Sequence, residues 1–319
     1  MPLDADIAAF LQASQDSGQP PLYELSVTDA RQALKQMTLM VDAPRLEVAR
    51  FEERTIAGPN GDIRLRIFWP EQDAGGKRPG ILLHYHGGGW VLGDLDTHEN
   101  LCRTYCARGG VSVVNVDYRL APEHKFPAGV EDAYAALCWA AENADALGGN
   151  AGRIGVTGDS AGGNLAAVMC QLAKVRGGPA IARQILAYPS VSLTPESNQT
   201  YPSRAECGGG EYFLSQADMD WLMGLYLDDP AQVTDLRASP ILTEDLSGLP
   251  PALVITAGFD PLRDEGKAYA ERLRAAGVPV DYHCFNGAIH GFLSFSGAIG
   301  AGREGIDLVV SCLKEHLAA

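Results

Sequence analysis

Residues 158–164 read Gly-Asp-Ser-Ala-Gly-Gly-Asn, and the run before them, Arg153-Ile154-Gly155-Val156-Thr157, is mostly apolar and β-branched. A serine with glycine two residues away on either side fits a turn too tight for a side chain at those two places. Gly-x-Ser-x-Gly of this kind lifts a serine hydroxyl clear of a sheet as a nucleophile. A plain glycine-rich connection is the alternative, and the surroundings separate the two. Ile154–Thr157 has the character of a buried strand, and Asn164–Lys174 has helical apolar spacing. The pattern is strand, sharp turn, helix. Such a serine then needs a base, an orienting acid and a site for an oxyanion.

Outward from this turn the same alternation repeats. Short apolar runs at 80–86, 111–118, 153–158, 182–189, 252–258 and 280–285 are separated by helical patterns at 97–108, 129–143, 164–174 and 265–276, and 302–316 closes the chain. Continuous apolar strands alternating with helices predict an α/β fold whose mostly parallel sheet is covered on both faces. Residues 49–58 and 62–70 instead alternate polar and apolar around Gly58-Pro59-Asn60-Gly61, as an antiparallel hairpin does. Two helical patterns, Asp4–Ser14 and Thr28–Val41, precede any strand and read as an added piece. The interval 190–247 is too long for one crossover. Its stretch 213–227 is helical in spacing, so an inserted helical element is expected there.

A hydrophobic fraction of 46% and a charged fraction of 20% fit an ordinary globular protein. The net charge of −15 argues against nucleic acid and anionic membrane surfaces as partners, since both attract basic patches. The seven cysteines (102, 106, 138, 170, 207, 284 and 312) are scattered. Cys102 and Cys106 are spaced like metal ligands, but no second Cys or His pair completes a zinc set, so buried reduced thiols are expected. The acidic start, MPLDADIAAFLQ, lacks the features of a secretory leader, and no apolar run is long enough to span a bilayer. A cytoplasmic location is the expectation.

Chemistry in open α/β sheets gathers at the C-terminal ends of the strands, and three further loops there carry reactive residues. His86-Gly87-Gly88-Gly89-Trp90 follows the first parallel strand, and its bare glycines can aim backbone N–H groups at an anion. Asp260 lies at the mouth of the strand 252–258. Asp264 is its rival, though it also reads as a carboxylate favoured by a helix N-terminus. His290 lies in a loop, Asn286–Phe292, before the final helix. Of the other histidines, His84 and His283 fall inside strand patterns, His86 belongs to the glycine loop, and His98, His124 and His316 read as hydrogen-bonding or helical residues. The order Ser160, Asp260, His290 is that of α/β-hydrolases.

With these residues together, the chain resembles the bacterial hormone-sensitive-lipase-like esterases. The resemblance rests on His86–Trp90, Tyr118–Gly129 (YRLAPEHKFPAG), Gly158–Asn164, Asp260–Gly266 and Ile289–Phe292, in order from about residue 63 to residue 290. It implies an α/β-hydrolase fold and ester hydrolysis with no cofactor and no metal. Ser160 would be the nucleophile, Asp260 the acid and His290 the base, with Gly88, Gly89 and the N–H of Ala161 as oxyanion hole. It further implies a helical cap, giving segments 1–48 (cap), 49–189 (core), 190–247 (cap insertion) and 248–319 (core). Small esters with short acyl chains are the expected substrates. Amides, lactones or acetylated groups are alternatives on the same machinery, and a non-catalytic ligand receptor is the alternative from another class. A homodimer through the edge of the last strands is compatible with the family.

Overall fold

The structure, a computed structural model, describes residues 2–71 and 78–318. Eight strands form one sheet: β1 (Arg50–Gly58), β2 (Gly61–Trp69), β3 (Ile81–Tyr85), β4 (Ser112–Asp117), β5 (Ile154–Asp159), β6 (Arg183–Ala187), β7 (Ala252–Phe259) and β8 (Val280–Ile289). Their spatial order is β1-β2-β4-β3-β5-β6-β7-β8. β1 and β2 pair as the expected antiparallel hairpin, β2 joins β4 antiparallel, and every later pairing is parallel.

Strand residues point alternately to two faces, and each face has its own apolar core. Leu83, Val114, Val156, Leu186 and Val254 pack under α4 (Ala128–Glu142), α5 (Ala161–Arg176) and α9 (Arg263–Ala275). Leu82, Val113, Ile185 and Leu253 pack under α3 (Glu99–Gly109) and α10 (Gly300–His316). Burial on both faces explains why these strands read as unbroken apolar runs.

Two helices precede the sheet, α1 (Ala5–Asp16) and α2 (Val27–Val41), and Ser26 caps α2 by accepting the Asp29 N–H at 3.1 Å. Three more lie between β6 and β7: α6 (Ser197–Thr200), α7 (Pro202–Cys207) and α8 (Gln216–Tyr226), the last opened by a reciprocal Ser215–Asp218 cap. No helix among the described residues is long and apolar enough to cross a membrane.

One expectation fails at β8. Residues 286–289 continue the strand instead of opening a loop, and Ile289 pairs with Phe259 across a register shift between Ala257 and Phe259. The cause is close packing at Gly258, where a Cβ would lie 2.1 Å from the Asn286 carbonyl oxygen. Only a bare glycine lets the backbones approach that closely. The pairing resumes one residue short of Asp260 on one strand and of His290 on the other.

Candidate active site

Ser160 stands between β5 and α5 with φ +56° and ψ −117°, a conformation rare for a residue with a side chain. The neighbouring glycines make it possible. A Cβ on Gly162 would lie 1.9 Å from the Tyr85 carbonyl oxygen, and one on Gly158 would lie 2.3 Å from the Gly162 carbonyl. The turn is held by the Ser160 N–H donating to Ala187 O at 2.9 Å, while Ser160 O accepts from Asn164 at 3.0 Å.

The ends of β5, β7 and β8 bring three side chains together. His290 Nδ1 lies 2.9 Å from Asp260 Oδ2, and its Nε2 lies 2.9 Å from Ser160 Oγ. A carboxylate only accepts, so Nδ1 carries the proton and Nε2 accepts from the hydroxyl. Asp260 is fully buried, and its other oxygen accepts the Leu262 N–H at 2.8 Å. Asp264 faces elsewhere: it accepts from the Ser203 N–H and from Arg263, both at 2.8 Å. Of the two carboxylates, Asp260 is the one that meets His290.

The glycine loop is a rigid turn. Gly88 has φ +115° and Gly89 φ +61°, and Gly88 O accepts the N–H groups of Val91 and Leu92. Among the described residues, the amides of Gly88, Gly89 and Ala161 have no protein acceptor. Gly89, Ser160 and Ala161 line one cavity of about 150 Å³, to which α8 contributes Leu222 and Met223. Gly88 is not part of that lining. Trp90 stacks on Tyr226 with ring centres 4.4 Å apart, which fixes α8 against the loop.

Behind the loop lies a buried cluster that sequence spacing did not single out. Asp159 Oδ1 accepts the Gly87 N–H at 2.9 Å and meets His98 Nε2 at 3.1 Å, tying the serine turn to the glycine loop. Burial alone would raise the Asp159 carboxyl; His98 and the imidazoles of His84 and His86 outweigh it and hold it at about 2. His84 is pushed down to about 3, chiefly by burial and then by His98. The signal for Asp159 was its place beside the serine; His98, sixty-one residues upstream of it, carried none. Cys102 and Cys106 are buried free thiols, and no cluster of metal-ligating side chains occurs among the described residues.

A fold of this kind with a serine, an imidazole and a carboxylate at one sheet edge is that of a hydrolase, and comparisons with known proteins agree. A family model described as "alpha/beta hydrolase fold" matches residues 82–294. Carboxylic ester hydrolase LipN of Mycobacterium tuberculosis is 43% identical over 322 residues, covering 99% of this chain and 83% of that protein. Ethyl acetate hydrolase of Pseudomonas putida is 35% identical, covering 99% of this chain and all of that one. The hyperthermophilic esterase of the archaeon Pyrobaculum calidifontis superposes with a TM-score of 0.91 at 41% identity, with 99% of each chain covered. The chain belongs to the α/β-hydrolase family, among the esterases that resemble hormone-sensitive lipase. It is a carboxylic ester hydrolase.

Proposed function

We propose that the protein is a serine carboxylesterase for short-chain acyl esters that works through an acyl-enzyme. The observation that carries this reading is the pair of 2.9 Å contacts made by the two nitrogens of His290, one to Asp260 and one to Ser160. His290 Nε2 takes the hydroxyl proton as Ser160 Oγ attacks the ester carbonyl. Asp260 keeps the proton on Nδ1 and stabilises the imidazolium that forms. The carbonyl oxygen becomes an oxyanion and accepts from the amides of Gly88, Gly89 and Ala161. One such donor has been worth about 3–4 kcal/mol where removed. His290 then gives its proton to the departing alcohol, and water repeats the attack on the acyl-enzyme.

Two features support small substrates. The cavity of about 150 Å³ is well below the ~300–1,000 Å³ of pockets for drug-sized ligands. Its walls beyond the serine are mainly apolar, with Leu193, Leu214 and Leu222 among them. Segments 1–48 and 190–247 act in this reading as the cap, and the second decides which acyl chains fit.

Rates on nitrophenyl esters of rising acyl length test the reading, with the anilide of one of the same acids alongside. The expected result is a maximum at short chains and a slower anilide. Ser160→Ala should cut kcat by several orders of magnitude with an unchanged melting temperature. Near-normal turnover by that variant, or a faster anilide, overturns it.

A further inference from the structure

The cavity that holds Ser160 has a charged wall that ester cleavage does not use. Arg204, on α7, lines it and is buried, with 7% of its side chain exposed. Its Nε and Nη2 face Glu265 Oε2, from a fully buried glutamate in the first turn of α9, and Nη2 also donates to Ser192 O at 3.2 Å. Nη1 differs. Among the described residues its one acceptor is the Met219 thioether, at 3.1 Å.

A thioether accepts weakly, whereas a buried guanidinium normally fills its fork with carboxylate or carbonyl oxygens. An N–H without a strong acceptor keeps most of the cost of leaving water. Arg204 Nη1 is therefore matched to an oxygen that the protein does not provide, at the wall of the cavity where substrate enters.

The surrounding charge selects the kind of oxygen. Glu265 already balances the guanidinium, the Asp220 carboxylate lines the same cavity, and the whole chain carries −15. A carboxylate on the substrate would gain little attraction and meet repulsion. A neutral ketone, ether or ester oxygen meets neither obstacle.

We propose that Arg204 Nη1 is a specificity-determining donor, and that the preferred substrates are esters carrying a second, neutral oxygen acceptor away from the scissile bond. This rests on the esterase reading above and narrows its substrate class. The extra oxygen can sit on the acyl or the alcohol side, and separate substrates distinguish these. On the acyl side, nitrophenyl levulinate is compared with nitrophenyl pentanoate, and nitrophenyl hemisuccinate supplies the charged isostere. On the alcohol side, methoxyethyl acetate is compared with butyl acetate. Each rate is divided by that of the same ester with hydroxide.

On the unaltered protein at least one neutral-oxygen ester should exceed its hydrocarbon isostere in kcat/KM by roughly tenfold, the scale of one hydrogen bond to a charged donor. In Arg204→Lys, which keeps a positive charge beside Glu265, that ratio should fall towards one. Met219→Leu removes the competing thioether and should raise the ratio, which decides the matter should Arg204→Lys fail to fold. A ratio near one in both pairs on the unaltered protein overturns the inference while the esterase reading stands. So does a preference that survives Arg204→Lys, one that does not rise in Met219→Leu, or a hemisuccinate faster than the levulinate. No turnover of any of these esters overturns both readings.

Discussion

Ser160 sits in a backbone conformation that costs on the order of 1–3 kcal/mol and persists because its surroundings over-determine it. The residues behind it are equally committed to one state. Asp260 spends both oxygens, on His290 and on the Leu262 N–H, whereas Asp264 serves only its own helix end and the Ser203 amide. Asp260→Asn should therefore lower kcat by about 10⁴, as in serine proteases where the orienting aspartate is made an amide. Asp264→Asn should cost less than tenfold, and steady-state kinetics on one ester would separate the two; the reverse ranking would reassign the acid. His84 gives a pH dependence with a definite sign. Burial, with His98 beside it, takes it from the ordinary 6.5 to about 3, so below pH 6.5 the unfolded chain binds a proton that the folded chain refuses. Its contribution to stability is whole above pH 6.5 and drains away between 6.5 and 3. Urea unfolding at pH 6.5 and 4.5 should differ by about 2–3 kcal/mol on this account, and His84→Gln should flatten that difference. An equally steep dependence in the variant would remove His84 as the cause.

At the scale of elements, glycines that look alike in sequence behave oppositely. Gly162 opens α5 against the carbonyl of β3, with no room for a methyl group; Gly224, inside α8, has nothing within 4 Å of where one would go. Gly162→Ala should lower both the melting temperature and the activity, while Gly224→Ala should raise stability by about 0.5–1 kcal/mol through helix propensity. Thermal melts of the pair check both signs. Most elements were legible from apolar period: each strand and helix expected for the sheet is present, within a few residues at its ends. The end of β8 was not. Asn286-Gly287-Ala288 has turn composition, and what makes it strand is the close approach of Gly258 from the neighbouring strand, which no local pattern reveals. Ser160, Asp260 and His290, which meet at the sheet edge, were legible because each follows a strand mouth within a distinctive motif. Arg204 and His98 were not, since their partners Glu265 and Asp159 lie sixty-one residues away in each case and no spacing connects them.

Across the whole molecule, α2 is tied to the segment that follows the glycine loop. From α2, Arg31 Nε donates to Val91 O at 2.8 Å and Nη2 to Ala121 O at 2.9 Å, while its fork also engages Glu123. Lys35 reaches Asp94 and Asp96 in the same segment. The ion pairs are partly exposed and worth little individually; the bonds to carbonyls are the larger part, about 1 kcal/mol each. Arg31→Ala should lower the melting temperature by about 2–4 °C, and Glu123→Gln by much less. Equal losses in the two would place the effect in the charge pair instead. The pairing of Phe259 with Ile289 reaches further than its size suggests. Asp260 and His290 each follow directly on that pair, so a residue inserted between Ile289 and His290 would turn the imidazole to the opposite side of the strand, whereas the register shift ahead of the pair already takes up two extra residues of β8. A change of length can therefore be taken up before Ile289 but not after it.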